Sequence, residues 1–240
     1  MKVLILAGGL GTRVRPYTFT VPKPLLPLGE KALLEHLLEH LRKWHIEEVI
    51  LSVGYQAQLV RAYFGNGDKF GVPIRYVDEA TPLGTAGCIA LALPDIEDQS
   101  AFFVMNGDIL TTLDFDSMSA FHHNRVAHLT LGYVEHREQS AFGVLRIDGD
   151  DVVDIIEKPT TVHSVSAGIY CVSREAARLV PLHSPYSMPE LIMAVRRAGM
   201  RVCAFRISEY WRALETPEHF QAALNDAPAS VRLGLGFEDK

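Results

Sequence analysis

Short apolar runs alternate with helical patterns through the first half of the chain. Each run is bounded by glycine or polar residues and predicts a strand. These strands are predicted at residues 3–7, 48–53, 74–77 and 101–105. Between them, apolar residues spaced three and four apart predict helices. These helices are predicted at residues 32–44, 56–64 and 85–93. Such alternation is typical of a parallel sheet with helices on both faces.

The second half is less regular and richer in strands. Strands are predicted at residues 128–135, 142–147, 152–157, 167–172 and 202–207. Helices are predicted to begin at Arg174, at Ser187 in a Ser-x-x-Glu capping box, and at Thr216, where Pro217 takes the first helical position. Without a repeat or a linker, we predict one domain over residues 1–226 and a loose tail over 227–240.

Composition and charge argue against several classes of protein. The 240 residues carry a net charge of −6 with no basic block, which argues against nucleic acid as a partner. No apolar run is long enough to span a membrane, and the first run is too short for a signal peptide. The three cysteines form no metal-binding pattern and are interpreted as reduced, buried thiols of a cytoplasmic protein. His122-His123 is interpreted as a solvated helix end.

A glycine-rich segment, Gly8-Gly9-Leu10-Gly11-Thr12-Arg13, follows the first strand. Glycines let backbone N–H groups approach phosphate oxygens, and the carboxyl end of a strand is where open α/β sheets bind ligands. Taken alone, the segment reads equally well as a tight turn. Farther on, Lys23 lies between two prolines, which we expect to hold it in extended backbone as a point charge for phosphate. The spacing is neither that of a P-loop nor that of a dinucleotide fingerprint.

Asp108 follows the strand predicted at 101–105 and the pair Asn106-Gly107. A carboxylate at the carboxyl end of a strand, near a phosphate loop, is well placed to hold Mg²⁺. The alternative is an aspartate that only caps a turn.

Residues 8–25, GGLGTRVRPYTFTVPKPL, resemble the signature of the sugar-phosphate nucleotidylyltransferases. The resemblance covers nearly the whole chain to Phe220. It continues at PLGTAG (82–87), NGD (106–108), FGV (142–144), EKP (157–159) and AGIY (167–170). It implies an open, mostly parallel Rossmann-like α/β sheet with a nucleotide-binding half of about 1–110 and a sugar-binding half of about 111–226. It also implies transfer of a nucleotidyl group from an NTP to a sugar 1-phosphate, releasing pyrophosphate.

The resemblance also assigns roles to individual residues. It implies that Arg13 and Lys23 neutralise phosphate charge and that Asp108 binds Mg²⁺, which makes these three the catalytic residues. The implied nucleotide-binding residues are Leu6, Gly8, Gly9, Gly11, Thr12, Arg13, Glu79, Gly84 and Thr85. The implied sugar-phosphate-binding residues are Gly143, Glu157, Lys158 and Ser166, the last in place of the asparagine usual in the family.

Glu79 bears on the choice of base. Guanine presents N1–H and N2–H₂ as adjacent donors that one carboxylate accepts together, whereas uracil and thymine suit an amide better. Glu79 therefore favours GTP, and the segment is most similar to guanylyltransferases acting on mannose or heptose 1-phosphates. The alternatives are a solvated loop glutamate and a family member that uses UTP, dTTP or ATP.

The chain departs from the family where a second metal-binding aspartate is usual, in the pattern W-x-D-x-G-T-P. Here Ala213 replaces the aspartate and Glu215 replaces the glycine. Three interpretations follow. Asp108 holds Mg²⁺ with phosphates and water, or Glu215 supplies the second carboxylate, or the chain is a non-catalytic NDP-sugar sensor or partner subunit. The resemblance also allows a homodimer.

Overall fold

The structure, a computed structural model, describes residues 1–228 and 231. The strands are β1 Lys2–Leu6, β2 Pro27–Leu28, β3 Lys31–Ala32, β4 Glu48–Val53, β5 Ile74–Asp78, β6 Ala101–Asn106, β7 Ile109–Thr111, β8 Leu129–Gln139, β9 Val144–Asp148, β10 Asp151–Ile156, β11 Thr160–Ser173, β12 Val202–Arg206 and β13 Trp211–Ala213. The α-helices are α1 Leu33–Leu41, α2 Ala57–Phe64, α3 Gly84–Ile96, α4 Phe115–Asn124, α5 Arg174–Ala177, α6 Met188–Arg197 and α7 Pro217–Asp226. Short 3-10 helices cover Thr12–Val14, Tyr17–Phe19, Lys23–Leu25 and Asp68–Phe70.

Seven strands form the central sheet in the order β12-β8-β11-β6-β1-β4-β5. Strands β6, β1, β4 and β5 are parallel neighbours, β12 is parallel to β8, and only β11 within this sheet runs antiparallel to its neighbours. The predicted mostly parallel α/β class is therefore confirmed. The chain leaves β1 on one side towards β4 and later returns to its other side as β6. This reversal opens a crevice at the carboxyl ends of β1 and β6, where such sheets bind ligands.

Helices cover both faces of the sheet. Along β1, Val3 and Ile5 pack into the cluster that contains α1, α2 and α4, whereas Leu4 packs into the cluster with α3, α5 and α6. All three side chains are fully buried. Burying a side chain of this size stabilises the fold by about 1.5–3 kcal/mol. The rigid sheet that results fixes the positions of the loops at its carboxyl edge.

Helix α4 was not predicted as an element, and its last turn differs from expectation. His122 is only 3% exposed, and its Nδ1 lies 2.9 Å from the Thr130 hydroxyl of β8. The interpretation of His122-His123 as a solvated helix end is therefore wrong for His122, because α4 lies against β11 and β12 and turns this ring inward. Burial lowers the pKa of His122 to about 4.

The C-terminal helix α7 packs in a third, smaller cluster. Ala223 and Ala227 are buried there beside Leu110 and Leu214. Ala227, the first residue of the predicted loose tail, is thus packed, and beyond Pro228 only Val231 lies within the described residues. The predicted capping box opens α6, whereas Thr216 precedes α7 without a capping hydrogen bond from its side chain.

The cysteines agree in part with the prediction. Cys88 and Cys171 are buried, whereas Cys203 on the edge strand β12 is partly exposed. In the part of the chain that the structure describes, no helix has the length and apolar content needed to cross a membrane.

The hairpin β9–β10, called the arm below, differs from the rest of the fold. Every residue of both strands is exposed, including Ile147, Val152 and Ile155. The arm connects the far ends of the two long strands β8 and β11, which pair with each other beyond the sheet core. It is the part of the described chain with the least burial.

Candidate active site

A cleft of about 450 Å³ lies at the carboxyl ends of β1 and β6. The glycine-rich loop, the segment after β5 and the turn after β6 form its walls. Every residue predicted to bind the nucleotide or to act in catalysis lines this cleft. They are Leu6, Gly8, Gly9, Gly11, Thr12, Arg13, Lys23, Glu79, Gly84, Thr85 and Asp108.

The glycines of the loop are held by different constraints. Gly11 has a φ of +59°, and a Cβ there would lie 2.7 Å from Cγ2 of Thr18. The Thr18 hydroxyl donates to the Gly11 carbonyl at 2.8 Å, so Thr18 fixes the loop. Gly9 is different, because a Cβ there would meet nothing within 4 Å. Its backbone borders open space, which lets a ligand approach closely.

Lys23 lies in a one-turn 3-10 helix rather than in the extended backbone that its flanking prolines predicted. Pro22 is extended, but Pro24 occupies the first turn of the helix, where a missing N–H breaks no hydrogen bond. The turn closes when the Leu26 N–H donates to the Lys23 carbonyl at 3.1 Å. It directs the side chain of Lys23 into the cleft.

Lys23 and Asp108 form an ion pair. The Lys23 Nζ donates to the Asp108 carboxylate at 2.5 Å, and their side chains are only 13% and 20% exposed. Asp108 reaches this position because β6 pairs with β1 and the Gly107 N–H donates to the Leu6 carbonyl at 3.0 Å. The pairing of β1 with β6 thus places the acid beside the glycine-rich loop.

Glu79 is held from two sides. Its Oε1 accepts a hydrogen bond from the Ser52 hydroxyl at 2.5 Å, and its Oε2 accepts from the Leu83 N–H at 3.0 Å. Ser52 is fully buried at the carboxyl end of β4. Sequence reasoning missed Ser52, although a lone polar residue near the end of the run Glu-Val-Ile-Leu-Ser-Val was a usable signal.

Gly84 and Thr85 tie the cleft wall to the segment before α6. Gly84 has a φ of +75°, and a Cβ there would lie 2.8 Å from the Tyr186 carbonyl oxygen. The Thr85 hydroxyl accepts a hydrogen bond from the Met188 N–H at 2.8 Å. The side chain of Thr85 therefore has a structural partner on the far side of this wall.

Position 213 lies beside Asp108. Strand β13 pairs antiparallel with β7, so that Ala213 faces Ile109, and the Leu214 N–H donates to the Asp108 carbonyl at 2.8 Å. Ala213 itself lines the second cavity described below, whereas Asp108 lines the nucleotide cleft. Within residues 1–228 and 231, no group of three or more His, Cys, Asp or Glu residues is arranged to hold a metal.

Glu215 contacts Arg13. Its Oε2 lies 2.5 Å from Nη1 of Arg13, and the two side chains are 38% and 64% exposed. A second cavity of about 680 Å³ lies beyond Glu215, between the far end of β8, strand β13 and the start of α7. Arg13 lines the first cleft and Glu215 lines the second cavity, so the ion pair spans the border between them.

The predicted sugar-binding residues lie apart from this cleft. A Cβ on Gly143 would lie 3.0 Å from Oε2 of Glu157, so these two residues are neighbours at the base of the arm. Lys158 follows with a φ of +44°, and Ser166 lies on β11 with its hydroxyl 3.0 Å from that of Tyr170. As far as the structure describes the chain, none of the four predicted residues lines either cavity.

The sequence as a whole matches one protein family. A family model described as nucleotidyl transferase matches residues 2–228. The chain belongs to this family. The resemblance based on the segment 8–25 is thereby confirmed.

Named members of the nucleotidyl transferase family are similar over most of the chain. A zebrafish (Danio rerio) protein, mannose-1-phosphate guanylyltransferase catalytic subunit beta, is 35% identical over 251 residues, covering 99% of this chain and 69% of its own length. The mannose-1-phosphate guanylyltransferase of Mycobacterium tuberculosis is 36% identical, covering 92% of this chain and 62% of its own length. The chain thus spans about two thirds of these relatives.

A solved structure is similar over almost its full length. The crystal structure of HddC from Yersinia pseudotuberculosis complexed with GMP-PN superposes with a TM-score of 0.74 at 30% identity. The match covers 93% of this chain and 98% of that chain. HddC therefore shares the fold of this chain and was crystallised with a guanine nucleotide analogue.

Proposed function

We propose that this nucleotidyl transferase moves the guanylyl group of GTP to a sugar 1-phosphate, giving a GDP-sugar and pyrophosphate. The observation that carries the proposal is the single cleft in which the glycine-rich loop, Lys23, Asp108 and Glu79 meet. The names of the zebrafish and mycobacterial relatives support a guanylyl group and a mannose 1-phosphate acceptor. The guanine nucleotide analogue bound to HddC supports the choice of base.

The phosphates of GTP bind at the glycine-rich loop in this proposal. The backbone at Gly9 borders open space, where phosphate oxygens approach its N–H groups, while Lys23 and Arg13 supply positive charge. Lys23 is mostly buried and paired with Asp108, so phosphate competes with this carboxylate for Lys23 in surroundings that hold little water.

The residues of the cleft fit a magnesium ion that arrives with the nucleotide. Asp108 offers one carboxylate at the phosphate end of the cleft, and the neighbouring Ala213 offers none. Mg²⁺ commonly keeps several waters and uses one or two carboxylates plus substrate phosphates, which suits this donor set. When bound, Mg²⁺ supplies positive charge that offsets the charge on the α-phosphate.

The reaction is an in-line displacement at the α-phosphorus. An oxygen of the sugar phosphate forms the new P–O bond, and the bond to the β-phosphate breaks with its electron pair leaving on pyrophosphate. No covalent intermediate with the protein is needed. The side chains contribute by holding the two phosphates in line and by neutralising charge, which are the main sources of catalysis in such transfers.

Base recognition is proposed for Glu79 in its observed orientation. Each carboxylate oxygen already accepts one hydrogen bond, and each retains capacity for another. The remaining capacity suits the paired N1–H and N2–H₂ donors of guanine. Ser52 holds the carboxylate in place for this contact.

The sugar phosphate is proposed to bind beside the arm. Lys158 meets the phosphate, Glu157 accepts from sugar hydroxyl groups, and Gly143 lets the sugar approach the backbone. The contact of Gly143 with Glu157 supports a common site for these two residues. Ser166 completes the proposed set from β11.

A pyrophosphate-release assay tests the proposal. GTP, UTP, dTTP and ATP are each combined with mannose, heptose and glucose 1-phosphates in the presence of Mg²⁺. We expect the highest rate with GTP and a mannose or heptose 1-phosphate. Turnover with another NTP in preference to GTP would refute the assignment of the base.

A second candidate function is a non-catalytic sensor of NDP-sugars, and Ala213 is the observation that favours it. The sensor is expected to bind a GDP-sugar with no turnover of any NTP. Equilibrium binding of GDP-mannose, measured beside the assay, separates the two candidates.

A further inference from the structure

The ion pair between Arg13 and Glu215 joins two parts of the site that are distant in sequence. Arg13 belongs to the glycine-rich loop, and Glu215 lies just before α7. Their side chains meet at 2.5 Å on the border between the nucleotide cleft and the second cavity.

The backbone that presents Glu215 is fixed on both sides. The preceding Leu214 is fully buried, and its N–H donates to the Asp108 carbonyl at 2.8 Å. The N–H of Glu215 donates to Nδ1 of His219 at 3.3 Å, in the first turn of α7. These two backbone contacts hold Glu215 at the position from which its carboxylate reaches Arg13.

The pair has a direct consequence for phosphate binding. A guanidinium that is bound to a carboxylate is neutralised and has fewer free donors for a phosphate oxygen. A carboxylate beside the phosphate loop also repels the incoming polyanion. Both effects weaken the binding of a nucleotide in proportion to its phosphate charge. Neither effect changes the contacts that the protein makes with the base and the ribose.

The exposure of the pair allows the nucleotide to break it. The side chains of Arg13 and Glu215 are 64% and 38% exposed, so water can solvate both charges when the pair separates. The pair of Lys23 with Asp108 is much less exposed. Phosphate therefore separates Arg13 from Glu215 more readily than it separates Lys23 from Asp108.

We propose that Glu215 is a specificity-determining residue that holds Arg13 until nucleotide phosphates displace it. The competition lowers the affinity for phosphorylated nucleotides but not for the nucleoside, and so reduces the preference of the cleft for GTP over GMP and guanosine. The proposal rests on the proposed function, because it takes the cleft as the nucleotide site.

The test is equilibrium binding by calorimetry to the full chain in EDTA, so that no metal contributes. GTP, GMP and guanosine are titrated into the wild type, Glu215→Gln and the control Glu218→Gln. Glu218 is exposed in the first turn of α7, and its replacement changes the net charge equally. We expect Glu215→Gln to tighten GTP by about two- to fivefold at low salt, the range of a partly exposed ion pair. The affinity for guanosine is expected to stay unchanged. Glu218→Gln is expected to tighten GTP binding by less than half as much as Glu215→Gln. The tightening in Glu215→Gln is expected to shrink at high salt, which screens exposed charges.

A double-mutant cycle with Arg13→Ala shows whether the effect runs through Arg13. In the Arg13→Ala background, Glu215→Gln is expected to tighten GTP by less than half as much as in the wild type, because only the direct repulsion between carboxylate and phosphate remains. A gain as large as in the wild type would overturn the proposal in favour of general charge repulsion. Weaker or unchanged GTP binding in Glu215→Gln would overturn it as well, because Glu215 would then position Arg13 or not affect it. If the wild type binds neither GTP nor guanosine, the proposed function itself fails.

Discussion

The nucleotide cleft and the arm are built in opposite ways. In the cleft, charged groups contact one another and the buried sheet: Lys23 bonds to Asp108, and Ser52 bonds to Glu79. On the arm, every residue of β9 and β10 is exposed, and the strands pair only with each other. The groups proposed to bind phosphate are thus preorganised by the core, whereas the groups proposed to bind the sugar depend on a hairpin with little support.

Preorganisation has an energetic meaning here. Groups held by a packed sheet need no reorganisation when charge develops on a substrate, and this is the main source of electrostatic catalysis. Regions with few buried apolar contacts open locally at low cost in free energy. We therefore expect substitutions in the cleft to act on turnover and substitutions on the arm to act on sugar binding.

A matched pair of isoleucines gives the largest expected contrast. Ile50 on β4 is fully buried, whereas Ile155 on the arm is 62% exposed. Ile50→Ala is expected to lower the free energy of unfolding by about 2–5 kcal/mol, because it leaves a cavity in the core. Ile155→Ala is expected to change it by about 0.5 kcal/mol or less. Urea unfolding followed by circular dichroism measures both, and a large loss at Ile155 would show that the arm is packed in solution.

Lys23→Ala tests whether the cleft is a catalytic centre. Removing one preorganised donor from developing charge is expected to lower kcat/KM by about 10²-fold. The measurement is pyrophosphate release with GTP and the best sugar 1-phosphate. Lys31→Ala is the control, since Lys31 pairs with Glu39 and neither residue lines the cleft. A kcat/KM equal to that of the wild type would eliminate the phosphate role of Lys23.

Glu79→Gln tests the base contact. The amide of glutamine places an N–H donor against the N–H donors of guanine. This mismatch is expected to lower kcat/KM for GTP by a factor that corresponds to about 1–3 kcal/mol. Efficiency with UTP should fall less. Because Glu79 also bonds to Leu83, an equal loss with both nucleotides would mean that it shapes the loop and does not recognise the base.

Lys158→Ala tests the sugar-side residues. It is expected to raise the KM for the sugar 1-phosphate by about tenfold, the lower end of the range for one charged hydrogen bond, and to leave GTP affinity unchanged. Arg146→Ala removes an equal charge from β9 of the same arm and serves as the control. If both variants raise KM equally, Lys158 has no special contact with the sugar phosphate.

The outline of the fold could be predicted from the sequence because it depends on strong local patterns. The segments that form β1, β4, β5 and β6 are hydrophobic and bounded by turn residues. Their presence and their order along the chain could therefore be predicted from the sequence. The short strands β7 and β13 were missed. Three residues carry little periodicity, and their pairing depends on a contact between residues about 100 apart.

The candidate site was predictable where one segment carried several signals. The glycine-rich loop and Asp108 both follow strands, and the sheet brought them together. Two features could not be predicted. The partner of Arg13 depends on where α7 lies, and the helical turn at Lys23 depends on how Pro24 fits its first position.

Ala213→Asp is expected to have the smallest effect and bears on the metal. Ala213 pairs with Ile109, the residue after Asp108, and lines the second cavity rather than the nucleotide cleft, so an aspartate there would add a carboxylate near Asp108 but outside the cleft lining. We expect the Mg²⁺ concentration for half-maximal rate to fall only a few-fold, because most ligands come from phosphates and water.

A titration of rate with Mg²⁺ in wild type, Asp108→Asn, Ala213→Asp and Glu215→Ala separates the sources of the carboxylate. Asp108→Asn should lose most activity. If Glu215→Ala raises the Mg²⁺ requirement as the loss of a ligand does, then Glu215 leaves Arg13 and serves as the second acid. If it instead lowers the KM for GTP at unchanged Mg²⁺ requirement, the nucleotide cleft works with Asp108 as its only carboxylate for the metal.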